Sequence, residues 1–274
     1  MLIHQNNASR IKRQLGAEMV RLYRTGKMIS EVDALPVNFI PRSMDSYRCC
    51  IYKDRAMIRY RLITLMGFAA EDDDEVRSLS SYAEEACTHR EIEMPVMSVI
   101  NMACSSCTGG THRITDLCKG CVARPCIHTC PKNAISFEHG TSVIDEDKCV
   151  NCGKCRSVCP YGAIVLTKLP CADSCPVGAI KQDENGRVEI DQEICVSCGH
   201  CTRACPFGAL TDRSQILDVL KSLDHTPTAA LVAPSVCGQF GGTPGQVVTA
   251  LKILGFEKVY QVADAASAVA EIEA

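Results

Sequence analysis

Apolar positions in the first third of the chain recur at helical spacing. Ile11, Leu15, Met19 and Leu22 make one stripe over residues 9–26, with Ser9 placed to cap it. Pro36 and Pro41 then mark a linker. A second stripe, Ile51, Ile58, Leu62 and Leu65, predicts an amphipathic helix over residues 49–67, with Lys53, Asp54, Arg55, Arg59 and Arg61 mostly outward. The EDDDE run at 71–75 reads as a solvated loop, and Ser78 to His89 as another short helix. Beyond Met102 the periodicity gives way to cysteine runs. It returns near the end. Ala229 to Ala233 predicts a buried strand, and Thr243 with Pro244 opens a helix through Leu254 that Gly255 closes. Lys258 to Val262 predicts a second strand, and Asp264 caps a helix reaching Ala274.

The middle of the chain is written in cysteine. It reads C118-K-G-C121-V-A-R-P-C126-I-H-T-C130-P, then C149-V-N-C152-G-K-C155-R-S-V-C159-P, and later C195-V-S-C198-G-H-C201-T-R-A-C205-P. The last two follow the bacterial ferredoxin spacing C-x2-C-x2-C-x3-C-P, and the first carries two extra residues before its third cysteine. Such a run holds three thiolates round one 4Fe–4S cubane and lends its fourth to the neighbouring cluster. Gly153 and Gly199 let backbone approach the cluster closely. Zinc prefers two separated C-x2-C pairs, and disulfides prefer an oxidising compartment. Iron–sulfur chemistry, and with it single-electron transfer, is the expectation.

Four stretches share C-P-x-(N/G)-A-(I/L), beginning at Cys130, Cys159, Cys175 and Cys205. Their steps of 29, 16 and 30 residues imply two ferredoxin-like units. Crossed ligation in the first gives one cluster on Cys118, Cys121, Cys126 and Cys159, and a second on Cys149, Cys152, Cys155 and Cys130. The other unit has only Cys171 and Cys175 where four cysteines belong. A lone C-x2-C stands upstream at Cys104 and Cys107. The expectation is that the first unit is inserted within the second. Cluster three then rests on Cys195, Cys198, Cys201 and Cys175, and cluster four on Cys104, Cys107, Cys171 and Cys205. Four 4Fe–4S clusters would use 16 of the 20 cysteines. Cys49 or Cys50 competes for the fourth cluster, or serves as a small apolar residue, while Cys87 and Cys237 have no assigned role. His112, His128 and His200 lie near the runs, but surplus thiolate makes imidazole ligation unnecessary.

Composition changes the picture little. The chain has 274 residues, 46% of them hydrophobic, and a net charge of −3. Residues 1–61 hold 12 Lys/Arg against 5 Asp/Glu, and the remainder 17 against 27. The basic segment is expected to pack on its own acidic surroundings or to form solvated helix faces, rather than to dock a partner. There is no Trp and no nucleic-acid reader motif, which argues against nucleic acid. No stretch has the length of a membrane span, and the N-terminus has no apolar signal core, so a reduced cytoplasm is expected. The glycines at 238, 241, 242 and 245 do not match the dinucleotide fingerprint.

Two segments carry a resemblance. LVAPSVCGQF, from Leu231 to Phe240, followed by PGQVVTALKILGFEKVY, from Pro244 to Tyr260, resembles the opening of the catalytic domain of iron-only (FeFe) hydrogenases. CCIYKDRAMIRYR, from Cys49 to Arg61, and the cysteine layout resemble the monomeric hydrogenases of anaerobic bacteria often labelled group B. The resemblance implies the accessory-cluster part of such an enzyme. Its H-cluster motifs, T-S-C-C-P, M-P-C and a late C-x3-C, do not follow here, so this chain alone is expected to be inactive toward hydrogen. The fold expected is α+β: a mainly helical region over 1–95, two nested ferredoxin-like 2x(4Fe–4S) units over 96–213, and a βαβα stub of an α/β catalytic domain over 214–274. The function expected is electron relay between ferredoxin, or a similar carrier, and a hydrogen-forming site absent from this chain, which is a fragment, a truncated gene product or one half of a split enzyme whose H-cluster domain is a separate chain. The alternative is a stand-alone polyferredoxin, or the iron–sulfur subunit of another anaerobic oxidoreductase.

Overall fold

A computed structural model describes residues 6–88, 95–239 and 242–273. The chain is mixed α/β and divides into two units, one formed by residues 1–102 with 211–274, the other by residues 103–210. In the first unit the N-terminal stripe folds as one helix, Asn7–Arg24, with Ile11, Leu15, Met19 and Leu22 all buried. Its cap is Asn6, whose side chain accepts the Ser9 N–H at 2.8 Å. Ser9, the expected cap, lies in the first turn, because Asn6 offers the same capping oxygen from extended backbone three residues earlier. The expected linker at Pro36 and Pro41 is largely helical: Met28–Glu31, a 3-10 turn at Val32–Ala34, and Leu35–Phe39 follow one another. Pro36 sits in a first turn, where its missing N–H leaves no bond unmade.

The second amphipathic stripe is the helix Ile51–Leu65. Asp54, expected outward, is buried, and its carboxylate accepts the Ser46 hydroxyl at 2.9 Å and the Tyr47 N–H at 2.7 Å. The EDDDE loop is likewise anchored rather than free. The Asp73 carboxylate is wholly shielded, pairs with Arg59 at 2.8 Å and accepts the Tyr82 hydroxyl at 3.0 Å. Glu71 accepts from the Ser98 hydroxyl and the Val99 N–H. A run of acids looks solvated in sequence, because the donors that satisfy it come from distant segments. The next helix is Leu79–Thr88; His89, its expected end, lies outside the described residues. These helices share a core of Leu15, Met19, Leu22, Leu62, Ile63 and Tyr82, joined by Leu217 and Leu220 of the helix Ile216–His225. Several basic side chains of the N-terminal segment are engaged within the unit: Lys12 with Asp212, Arg24 with Asp224 at 2.9 Å, and Lys27 with Glu31 at 2.8 Å.

The C-terminal segment has the expected strand–helix–strand–helix order. Ala229–Val232 pairs in parallel with Lys258–Gln261. The helix between them, Pro244–Leu254, begins with a capping box of Thr243 and Gln246 and ends at Gly255, whose φ is +111°. The last helix, Val262–Glu273, starts two residues before Asp264, the expected cap. The strand expected to be buried is not: Leu231 is 75% exposed, as are Ile253 at 81% and Ile272 at 84%. A lone parallel pair has both faces to cover, and one or two helices do not cover them.

In the second unit, short antiparallel strand pairs carry four short helices. His112–Ile114 pairs with Ile164–Leu166, and within that span Ile135–Glu138 forms a hairpin with Thr141–Ile144. A second hairpin joins Ile180–Gln182 to Val188–Ile190. The helices Pro125–Thr129 and Lys154–Val158 pack together, as do Pro170–Asp173 and His200–Ala204. In the first unit, Met97–Val99 pairs with the strand that begins at Leu210 and runs to Asp212. Strands just before Cys104 and just after Cys205 are therefore partners, and the pair formed by His112–Ile114 and Ile164–Leu166 lies between them in sequence.

The shielded Asp73 carboxylate gives this architecture a test. Removing it takes the acceptor from the Tyr82 hydroxyl and leaves Arg59 with the Arg77 carbonyl but no anion, and breaking a buried ion pair costs about 3–5 kcal/mol. Because Arg59 is part-exposed, Asp73→Ala is expected to lower the denaturant stability of the first unit by roughly 2–3 kcal/mol. A change below about 0.5 kcal/mol would mean that the loop is not held by this contact.

Candidate iron–sulfur centres

The local backbone explains the cysteine spacing. In Cys104–Cys107 and in the first C-x2-C of each full run the residue before the second cysteine is left-handed: Ser106 at φ +45°, Gly120 at +57°, Asn151 at +52° and Ser197 at +52°. That twist turns two thiols two residues apart toward the same side, and it suits Gly, Asn and small polar residues. The pair Cys104–Cys107, isolated in sequence, thus has the same backbone as the three full runs. The third cysteine of each quartet, Cys126, Cys155, Cys171 or Cys201, lies in one of the short helices and is buried. The fourth follows at the helix end. Then comes C-P-x-(N/G), whose last residue is again left-handed: Asn133 at φ +47°, Gly162 at +60°, Gly178 at +67° and Gly208 at +60°. The alanine after it is buried in all four copies. The turn returns its own N–H to the cysteine: Ala134 donates to Cys130 Sγ at 3.3 Å, Ala179 to Cys175 at 3.3 Å, and Ala209 to Cys205 at 3.5 Å.

Two recesses gather thiols from separate runs. Cys118, Cys121 and Cys126 line one together with Cys159 of the following run, beside Ile114, Ser142 and Tyr161. Cys149, Cys152 and Cys155 line the other with Cys130 of the preceding run, beside His112, Ile135 and Ile144. In the second half of the unit, Cys195 and Cys198 raise the pKa of the Cys201 thiol, while Cys205 and Cys107 raise that of Cys171. Cys171 therefore feels the charge of both Cys107 and Cys205, although 98 residues separate those two in sequence.

Electrostatics divides the thiols by position. Burial pushes Cys171 and Cys201 up to about 11, and raises Cys155 in the same direction. Backbone N–H groups of Ser142 and Gly120 hold Cys118 below its ordinary value. Burial also pushes Cys175 up, but the N–H groups of Ala179, Val177, Gly178 and Ile180 outweigh it, so this thiol ends low. The buried thiols need a positive partner to remain thiolates, and iron supplies one. All described cysteines are unbridged. Among the described residues no three His, Cys, Asp or Glu side chains converge as a site for a single metal ion. Thiols ringing a recess, with N–H donors aimed at sulfur, fit a cubane better than a lone tetrahedral ion.

The remaining candidates fall elsewhere. Cys49 and Cys50 are exposed in the first unit, where Cys50 caps the helix Ile51–Leu65 and the Lys53 N–H lowers its pKa. Cys87 packs against the helical core, and burial raises its thiol. The side chain of Cys237 lies outside the described residues. His128 and His200 occupy short helices beside their runs. His112 is buried in the wall of the Cys149 recess, with its N–H on Asn151 Oδ1 at 3.2 Å and its ring Nδ1 at 3.3 Å from the same oxygen. Ser142 is the residue that sequence reasoning missed: its hydroxyl lies 3.7 Å from Cys126 Sγ. Its position on the inward side of a hairpin strand was the available signal.

Comparison with known proteins agrees with this chemistry. Residues 142–165 match the family described as "4Fe-4S binding domain", and residues 169–209 match "4Fe-4S dicluster domain". Among curated relatives, an uncharacterized ferredoxin of Methanocaldococcus jannaschii is 40% identical over 50 residues, covering 18% of this chain and 30% of that protein. The electron transport protein HydN of Escherichia coli is 35% identical over 54 residues, 20% of this chain and 31% of its own. A tetrathionate reductase subunit of Archaeoglobus fulgidus is 41% identical over 51 residues, 18% of this chain and 25% of its own. The chain thus spans less than a third of each of these relatives. It carries 4Fe–4S ferredoxin-type segments of the electron-transfer kind. No described helix is long and apolar enough to cross a membrane.

Gly120 tests the geometry. A Cβ there would fall 2.3 Å from the Gly140 carbonyl oxygen, at a φ of +57°. Gly162 has a φ of +60° but open space around it. Gly120→Ala is expected to lose iron bound at the Cys118 run. Gly162→Ala should keep its iron and cost only about 1–2 kcal/mol of backbone strain. Equal iron in both variants would show that close approach at Gly120 does not shape the site.

Proposed function

We propose that the chain is the electron-relay module of an FeFe hydrogenase. It would carry single electrons between ferredoxin, or a similar carrier, and a hydrogen-forming site outside residues 1–274. The iron–sulfur part rests on one observation above others: four copies of the same left-handed C-x2-C turn, one of them isolated at Cys104–Cys107. The proposed ligand sets are Cys118, Cys121, Cys126 and Cys159; Cys149, Cys152, Cys155 and Cys130; Cys195, Cys198, Cys201 and Cys175; and Cys104, Cys107, Cys171 and Cys205. Residues 96–213 would form this nested domain, between a helical region at 1–95 and the opening of a catalytic α/β domain at 214–274.

Bound cubanes supply one-electron storage. The chain's own residues do the rest. Short helices bury the third thiol of each set and exclude water from it. The post-proline turns direct N–H groups at the fourth thiol. Cys152 and Cys198 are exposed, which makes their two sites the natural points of exchange with an external carrier.

The hydrogenase part is supported by the resemblance over Leu231–Phe240 and Pro244–Tyr260. It is also supported by the apolar side chains that the C-terminal layer leaves bare, Leu231, Ile253 and Ile272, which further α/β structure would cover. A second reading, a stand-alone polyferredoxin or the iron–sulfur subunit of another anaerobic oxidoreductase, is favoured by the relatives' own names, an electron transport protein and part of a tetrathionate reductase.

The test is anaerobic reconstitution with iron and sulfide, followed by addition of a partner carrying the H-cluster motifs. Hydrogen uptake is expected only with that partner present. Activity with an unrelated oxidoreductase alone would favour the second reading. For the ligand sets, Cys171→Ser should lower iron from about sixteen to about twelve atoms per chain and spare the two sites of the Cys118–Cys159 segment. Loss of those two sites instead would refute the nesting.

A further inference from the structure

The two hairpins of the cysteine-rich unit occupy the same place in their repeats, and their register aligns them residue by residue. Ile135 and Ile180 both follow the buried alanine of the C-P-x-(N/G)-A turn. Ile135 pairs with Ile144, and Phe137 with Ser142. Ile180 pairs with Ile190, and Gln182 with Val188. Ser142 and Val188 are therefore equivalent positions. Both are buried, at 6% and 4% exposure. One carries a hydroxyl, and the other a methyl of similar size.

We propose that the Ser142 hydroxyl donates to ligand sulfur at the Cys118, Cys121, Cys126 and Cys159 site, and holds its reduction potential above that of the equivalent Cys104, Cys107, Cys171 and Cys205 site, where Val188 has no donor. This rests on the ligand sets given above. Ser142 Oγ lies 3.7 Å from Cys126 Sγ, and the residue lines the same recess as Cys118, Cys121 and Cys159. Its N–H and its hydroxyl both reach the Cys118 thiol. A ligand thiolate has no proton to give, so once iron is bound the hydroxyl is the donor. Reduction adds one electron and no atom, and part of that charge falls on sulfur. A donor stabilises the more negative form more, which raises the potential. Val188, at the corresponding register position, offers no side-chain donor. Ser142 is thus a positioning and tuning residue: it binds no iron, and it biases where within the module an electron rests.

The experiment exchanges the two residues in the full reconstituted chain. Redox titration with dithionite, followed by electron paramagnetic resonance, reads each midpoint, and iron per chain is measured alongside. Ser142→Val should lower one midpoint and leave the others unchanged, at full iron. Ser142→Thr, which keeps the hydroxyl, should restore that midpoint. Val188→Ser should raise a different one, and it carries the test if Ser142→Val fails to load iron. Unchanged midpoints in both Ser142→Val and Val188→Ser at full iron would overturn the proposal, as would an equal fall in Ser142→Val and Ser142→Thr. A failure of the ligand sets looks different: Cys126→Ser would then leave intact the signal that Ser142→Val moves.

Discussion

Four thiols that must face one another across an inorganic core impose the constraint on which the rest of the structure depends. Thiols that close cannot come from regular helix or strand. The chain meets the demand by stepping into the left-handed region at two places common to all quartets, before the second cysteine and after the Cys-Pro step. Small or amide side chains occupy those two positions because larger ones would strain the backbone. The short helices and strands of the unit connect these turns. Their brevity follows from the need to bring the next thiol back within reach.

The proposed nesting has a counterpart in the strand pairing. The strand pairs enclose one another in sequence: Met97–Val99 with Leu210–Asp212 lies outside His112–Ile114 with Ile164–Leu166. An insertion placed between Cys107 and Cys171 separates two ligands of the proposed fourth set without separating their thiols, since Cys171 feels the charge of both Cys205 and Cys107. Burial differs among the positions of a set. Desolvation pushes Cys171 and Cys201, both third cysteines, up to about 11, while N–H donors hold Cys118 and Cys175, a first and a fourth, low.

The cysteine framework was legible in the sequence because its spacing is local. A cysteine three positions from its partner leaves a fixed mark, and so does a repeated C-P-x-(N/G)-A. The N-terminal helices were legible for the same reason, through their 3.6-residue stripes. What escaped was everything set by contact between distant segments. Asp54 and Asp73 read as solvated, yet Ser46 and Tyr47 donate to one oxygen of the first, and Arg59 and Tyr82 engage the second. Pro36 read as a linker, although a proline in a first turn is compatible with helix. The run from Ala229 read as buried, while its cover is incomplete among the described residues. His112 and Ser142 entered the recess walls through strand pairing, which a pattern along one strand does not reveal.

The central claim is that four cubanes are held by thiolate sets drawn crosswise from interleaved repeats. Native mass spectrometry of anaerobically prepared protein, with thiol alkylation after gentle desalting, tests it most directly. The account predicts a mass increment of four 4Fe–4S cores, with Cys104 and Cys107 protected while Cys49 and Cys50 react. An increment of two cores, with Cys104, Cys107 and Cys171 freely alkylated, would contradict it.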